Sequence, residues 1–262
     1  MNLDLCNRTA LVCGSSQGLG AAVAKELALL GANIILLART ESNLNKTMSL
    51  LDISKGQSHQ YIVGDTSKPK ELLEKVTKFL AIGNHIDILV NNSGGPAAGP
   101  LLDTNFKDID NAFQSHLMVS HLLTQAIVPG MKRKKFGRII NILSTSIKQP
   151  INGLGISNSV RAAVANWAKT LANEIGSFGI TVNNVLPGYT NTDRLNYLFA
   201  KQAASARVSQ DEILKRTIDL IPAGRLGEPD EFGAAVAFLC SPAAAYINGI
   251  NLPVDGGRLG SL

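Results

Sequence analysis

Aromatic residues are scarce, at 5% of the 262-residue chain, with a single tryptophan. That scarcity argues against an aromatic-rich β-sandwich and leaves little with which to stack bases. Cysteines number three, Cys6, Cys13 and Cys240, far apart and without a Cys-x-x-Cys pair. So sparse and odd a set argues against a disulfide framework or a zinc cluster, predicts no metal site, and points to a reducing cytoplasm. Long hydrophobic runs are missing too. The apolar stretch at 34–38 is typical, far short of the roughly 20 residues that a membrane-spanning helix needs. Residues 1–6 carry neither the basic nor the apolar region of a secretory signal. Charge is modest, 25 basic against 20 acidic residues for a net +5. Its one dense cluster, Lys132-Arg133-Lys134-Lys135, reads as the cationic C-terminal end of a helix, with no second basic stripe for nucleic acid.

What the chain does have is glycine, 24 residues of it, and a 45% hydrophobic content that suffices for a sizeable core. Short β-like runs alternate with longer helical ones. Strands are expected over 9–13, 33–38, 59–63, 86–90, 137–143, 180–186 and 250–254. Helices are expected over 19–30, 41–55, 69–81, 106–134, 157–175 and 231–239. Five of the strands are nearly continuous apolar runs, as strands buried on both faces are. Parallel strands need helical crossovers, so the pattern predicts one α/β domain over 1–262: a Rossmann fold, a doubly wound parallel sheet with helices on both faces. The polar, Ala-rich segment 191–221 breaks the rhythm and reads as a mobile helical lid, with Ala203, Ala204 and Ala206 on an apolar face.

After the first strand comes Gly14-Ser15-Ser16-Gln17-Gly18-Leu19-Gly20. Glycines there allow a tight turn and let backbone approach a pyrophosphate, at which the next helix aims its N-terminal amides. The spacing Gly-x-x-x-Gly-x-Gly resembles that of the short-chain dehydrogenase/reductase family, and the resemblance spans nearly the whole chain. Asn91-Asn92-Ser93-Gly94 is similar to the family's Asn-Asn-Ala-Gly segment. Pro187-Gly188, with Thr192 beyond it, resembles the segment that embraces the nicotinamide end. Asp65 falls where the family contacts adenine, and Asp255-Gly256-Gly257 resembles its C-terminal signature. Gly224-Arg225-Leu226-Gly227-Glu228-Pro229 resembles the β-ketoacyl-carrier-protein-reductase-like branch. The resemblance implies cofactor contacts from Gly14, Ser15, Ser16, Gln17, Gly18, Leu19, Gly20, Asp65, Asn91, Ser93, Gly94, Pro187, Gly188 and Thr192.

An NAD-selective site offers the ribose 2′-hydroxyl a carboxylate at the end of the second strand. Here Ala38 stands there, followed by Arg39. Arg39 can clamp a 2′-phosphate by charge-assisted hydrogen bonds, with hydroxyls from Ser15 and Ser16, so NADP is expected ahead of NAD.

At the reaction centre the resemblance fails. The family implies a Ser that polarises the carbonyl, a Tyr that supplies a proton, a Lys one helical turn on that lowers the phenol pKa and holds the ribose, and an Asn that props a water relay. The Ser position is Ser144, but the other three hold Ser157, Arg161 and His116. An aliphatic hydroxyl at Ser157 is a far poorer acid than a phenol. Arg161 keeps the positive charge and can still hold ribose hydroxyls, though as a planar fork. His116 is expected either to titrate near neutrality and deliver a proton, or to be an ordinary helix histidine. The chain is therefore expected to be an oxidoreductase acting on a small-molecule carbonyl or alcohol, acyl-type substrates included, or else a catalytically silent NADP-binding sensor or interaction protein. A homodimer or homotetramer is expected, with Trp167, Ala168 and Leu171 as contact residues on the long helix.

Overall fold

A computed structural model describes residues 1–261 of the chain. Among these residues seven strands form one sheet: β1 Thr9–Cys13, β2 Asn33–Ala38, β3 Gln60–Val63, β4 Ile88–Asn91, β5 Gly137–Ile142, β6 Ile180–Pro187 and β7 Asn251–Val254. Their order is β3-β2-β1-β4-β5-β6-β7, and every neighbouring pair is parallel. The chain reverses its direction of travel across the sheet between β1 and β4, so a crevice opens beyond the carboxyl ends of those two strands.

Among the described residues, nine α-helices lie between the strands: α1 Gly18–Leu29, α2 Glu41–Met48, α3 Pro69–Ala81, α4 Phe106–Phe113, α5 Val119–Lys134, α6 Gly155–Ile175, α7 Asp193–Ala206, α8 Gln210–Ile218 and α9 Pro229–Cys240. Two apolar layers hold them to the sheet. On one face Val23 and Leu27 of α1 pack with Phe232 and Val236 of α9 over Val12, Ile34 and Val90. On the other, Leu123, Ile127 and Met131 of α5 pack with Ala168 and Ala172 of α6 over Leu11, Leu89 and Val182. No helix among the described residues is long and apolar enough to cross a membrane.

Three boundaries depart from expectation for local reasons. The helix at 41 stops at Met48, because Asp52 accepts from the amide of Ser54 at 3.0 Å and turns the chain instead. The helical stretch 106–134 is interrupted by a π-turn, Gln114–Met118. Segment 191–221 forms two helices, whose capping residues Thr192 and Ser209 accept from the amides of Leu195 and Glu212. These helices have a small core of their own, Leu195, Phe199, Ala203 and Ile213. Ala204 and Ala206 are exposed, so the expected alanine face reduces to Ala203.

Ala168, expected at a subunit contact, is instead buried against the chain's own sheet, and Trp167 and Leu171 pack beside it. The basic cluster does end a helix. Lys134 there pairs at 3.0 Å with the fully buried Asp87, which also accepts from the amide of Thr9.

One feature of the sheet has no counterpart in the apolar pattern. Asn91, Asn141, Asn184 and Asn251 stand in register on β4 to β7. Each amide nitrogen donates to the next side-chain oxygen, at 2.9, 2.8 and 2.7 Å. The first three members are buried and the last is exposed on the edge strand. Replacing Asn141 with Val would strand the Asn91 amide and the Asn184 oxygen in a dry environment, at a cost of about 2–4 kcal/mol. Asn251→Val should cost less than about 1 kcal/mol, because water can replace an edge partner. Urea unfolding midpoints of the two variants test this, and equal losses would show that the ladder is not a stability element.

Candidate functional site

The crevice begins at the glycine turn. Gly14 has φ +59°, and a Cβ there would lie 2.7 Å from Asn92 Nδ2. A Cβ on Gly20 would lie 2.2 Å from the Gly14 carbonyl oxygen. Only glycine fits either place. Asn92 Nδ2 donates to the carbonyls of Cys13 and Gly14, both at 3.2 Å, and so ties the turn to the end of β4. The N-terminus of α1 has no side-chain cap, and its first turn has no acidic residue. The amides of Gly18, Leu19 and Gly20 therefore face the crevice with the positive end of the helix dipole behind them.

Ser15 does not join them. Its side chain is fully buried and accepts from the Leu37 amide at 2.9 Å, stitching β1 to β2. The expected contact from the Ser15 hydroxyl to a 2′-phosphate is thus corrected. Ser16 stays partly exposed, with its carbonyl accepting from Thr47 at 3.2 Å, and Gln17 is exposed. Arg39 lies exposed just past β2 and has no carboxylate partner among the described residues. The acid nearest it in sequence, Glu41, is held by the Tyr61 hydroxyl at 2.6 Å. Asp65 follows β3 and accepts from the Ser67 amide at 2.9 Å, which fixes that turn.

Ser144 sits just beyond β5, where its hydroxyl accepts from the Ser146 amide at 3.1 Å. Ser157 and Arg161 occupy one face of the first turns of α6. Arg161 Nε donates to Ser157 Oγ at 3.1 Å, and Nη1 donates to the carbonyls of Ile142 and Leu143 at 3.0 and 2.9 Å. The guanidinium thereby pins α6 to the loop that carries Ser144, and only Nη2 remains for anything outside the chain. Burial, and then the charge of Arg194, pull the Arg161 pKa down to about 10, so it stays charged at neutral pH.

His116 lies in the π-turn, a motif often found at functional sites. It is 6% exposed, and its Nδ1 lies 2.8 Å from Ser93 Oγ. Burial first, and the Arg161 charge second, push its pKa from 6.5 to about 3. The expectation that His116 titrates near neutrality is corrected: the ring is neutral and held as a hydrogen-bonding group. A cavity of about 20 Å³ beside it, lined by Cys13, Asn91, Ser93, Ser120 and Asn141, matches the volume of a single water. Asn91 Oδ1, buried at the head of the ladder, has no protein partner.

The far wall comes from β6 and α7. Pro187 ends β6, and the Gly188 amide donates to the Val254 carbonyl at 2.9 Å. Thr192 caps α7, and its Cγ2 lies 3.9 Å from where a Cβ on Gly18 would stand, so this wall closes on the glycine turn. Tyr189 packs on Phe199 with ring centres 6.3 Å apart, under the guanidinium of Arg258. Gly94 and Gly95 follow β4 and are exposed. Both Arg161 Nη2 and Arg194 Nη2 lie 3.8 Å from the position of a Cβ on Gly95. Arg194 carries no motif spacing, and sequence reasoning missed it.

A family model described as "Enoyl-(Acyl carrier protein) reductase" matches residues 14–258. The chain is 36% identical over 261 residues to the 3-oxoacyl-(acyl-carrier-protein) reductase FabG of Vibrio cholerae serotype O1, covering 98% of both chains. The structure of L-sorbose reductase from Gluconobacter frateurii, complexed with NADPH and L-sorbose, is similar with a TM-score of 0.93 and 29% identity, covering all of both chains. YwfH, an NADPH-dependent reductase involved in bacilysin biosynthesis, is similar with a TM-score of 0.89 and 28% identity, over 97% of this chain and 99% of that one.

Because folding depresses the His116 pKa, the unfolded chain takes up a proton first as pH falls. The stability that neutral His116 contributes is complete above 6.5 and is lost as pH falls towards 3. His116→Gln should therefore lose stability less steeply than the parent across that window, as read by urea midpoints. An imidazole NMR titration should show no midpoint near 6.5 for His116, and one found there would overturn this assignment.

Proposed function

Because the chain belongs to the short-chain dehydrogenase/reductase family, we propose that it is an NADPH-dependent oxidoreductase that reduces a carbonyl without a phenolic acid. The observation that carries this reading is an open dinucleotide cradle beside a hydroxyl–guanidinium pair, Ser157 and Arg161, at the end of β5. The uncapped amides of α1 suit a diphosphate, and the two glycines packed at the turn keep backbone exposed to it. Arg39, without an acidic partner, suits a 2′-phosphate, with Ser16 beside it. In this reading Gly14, Gln17, Gly18, Leu19 and Gly20 line the diphosphate, and Asp65 lies at the adenine. Asn91, Ser93, Gly94, Pro187, Gly188 and Thr192 line the nicotinamide half. NADPH-bound relatives support the choice of coenzyme.

The bound coenzyme supplies a hydride. The chain's own residues then have to receive the charge that develops on the substrate oxygen. Ser144 and Ser157 donate hydroxyl hydrogen bonds to it, and Arg161 stabilises it electrostatically through Ser157. Neither hydroxyl is acidic enough to give up its proton, and neutral His116 has none to spare. The proton therefore comes from water, which the absence of a phenol leaves room to admit. The π-turn, Ser93 and His116 position the wall of this space. Helices α7 and α8 serve as the lid, and the active particle is a homodimer or homotetramer. Cys6, Cys13 and Cys240 are free thiols, which favours a reducing cytoplasm.

A second reading, a silent NADP-binding sensor, is favoured by the same neutral His116 and committed Arg161. Calorimetric titration comes first. NADPH should bind more tightly than NADH, and Arg39→Asp should weaken NADPH about 10- to 100-fold by removing a charge-assisted contact. NADPH oxidation across a panel of ketones and oxo acids then separates the readings. An enzyme should lose about 10²–10³ in kcat on Ser144→Ala and show no inflection between about pH 5 and 8. Tight NADPH binding with no turnover on any carbonyl would leave the sensor.

A further inference from the structure

Two guanidinium groups meet at the reacting end of the crevice with no carboxylate between them. Arg161 approaches from α6 and Arg194 from α7. Their Nη2 atoms are each 3.8 Å from one point, the Cβ position of Gly95, and so lie no more than twice that distance apart. Neither makes an ion pair with any described acid. The polar side chains tied to Arg161, Ser157 and His116, are a hydroxyl and a neutral ring, and the exposed Asp193 that precedes Arg194 on α7 makes no ion pair with it. Like charges held this close, one of them largely buried, are unfavourable until an anion arrives between them.

The position of the pair says what anion fits. The same guanidinium that offers Nη2 donates through Nε to Ser157 Oγ at 3.1 Å. An anion on Nη2 is thus a few ångströms from any carbonyl oxygen held by Ser157. The diphosphate has a separate cradle at the N-terminus of α1. We propose that Arg161 and Arg194 together grip a carboxylate of the substrate, and that the substrate is a 2-oxo or 3-oxo acid, with the acid group one or two carbons from the carbonyl. The proposal rests on the oxidoreductase reading and names its substrate class. The carbonyl carbon takes the hydride, its π-electrons move to oxygen, water protonates that oxygen, and the carboxylate is unchanged throughout.

The test uses the full-length protein and has two readouts. In calorimetry with saturating NADP⁺, malonate serves as an unreactive probe and dimethyl malonate as its uncharged control. Malonate should bind and the diester should not. Arg194→Gln should weaken malonate about 10- to 100-fold, the loss of one charge-assisted contact, and Arg194→Lys should recover part of it. Arg194 is exposed, so its replacement should not disturb folding. In turnover, 3-oxobutanoate and pyruvate should be reduced with higher kcat/KM than their methyl esters, and Arg194→Gln should collapse that ratio. If the esters match the acids, or malonate fails to bind, the substrate assignment is wrong even where NADPH binds and is oxidised. If Arg194→Gln weakens NADPH as much as malonate, the pair serves the coenzyme diphosphate and the proposal falls. If malonate binds in the Arg194-dependent way but no oxo acid is reduced, the anion site stands and the oxidoreductase reading is what fails.

Discussion

Arg161 commits three of its N–H groups to its own chain, to Ser157 Oγ and to the carbonyls of Ile142 and Leu143. Much of the crevice depends on that arrangement. It welds the start of α6 to the end of β5, so that Ser144 and Ser157 stand on one rigid support. A compact ammonium could not reach all three acceptors in a plane, whereas a guanidinium fork can. The same bonds limit what the residue can do elsewhere, since a single nitrogen is left to face the crevice. A lysine at this place would be free to swing towards a ribose; this arginine is part of the wall.

How much of this was legible in the sequence depends on the kind of signal. The strands were, because β1, β2, β4, β5 and β6 are buried on both faces, read as largely apolar runs and leave no competing periodicity. Helix ends were not, where a side chain such as Asp52 offers the backbone another partner. The π-turn was invisible, since it changes hydrogen-bond register without changing the apolar pattern. Within the crevice, Ser144, Ser157, Arg161 and His116 were legible only as positions that the family resemblance implies. Their states were not: the neutrality of His116 comes from burial and from a neighbour on another helix. Ser15 was misread because composition cannot say which way a hydroxyl points, and here it points at β2. Arg194 was missed because nothing marks it locally, and it matters only through a glycine about a hundred residues earlier in the chain.

The asparagines illustrate a similar limit. In the sequence, Asn91, Asn141, Asn184 and Asn251 are polar residues within or at the ends of largely apolar strands, with nothing to mark them as partners. In the sheet they form one hydrogen-bonded line leading from the edge strand to the crevice, ending at an oxygen without a protein partner. Buried amides are costly unless paired, so a line of them restricts the register of four strands to the one in which all of them meet. The ladder therefore fixes the relative heights of β4 and β5, the two strands whose ends carry Ser93 and Ser144. A polar network that runs through the sheet from its edge thereby sets the geometry at which the crevice opens.

The electrostatics of the crevice then follow from what it excludes. The uncapped α1 terminus, Arg39, Arg161 and Arg194 are all positive, and two acids of the crevice rim are already held, Glu41 by the Tyr61 hydroxyl and Asp65 by the Ser67 amide. In such a field a carboxylate, phosphate or enolate is stabilised and a protonated histidine is not. Burial first, and this field second, keep the histidine beside the crevice neutral, and a proton donor of the usual kind would gain little here. A positive guanidinium would depress a phenol's pKa, but it has already been engaged by backbone carbonyls that hold it away from a freely chosen partner. The crevice is therefore better suited to holding negative charge as it develops than to neutralising it. In the proposed reaction, catalysis would rest on stabilising the oxyanion long enough for water to protonate it.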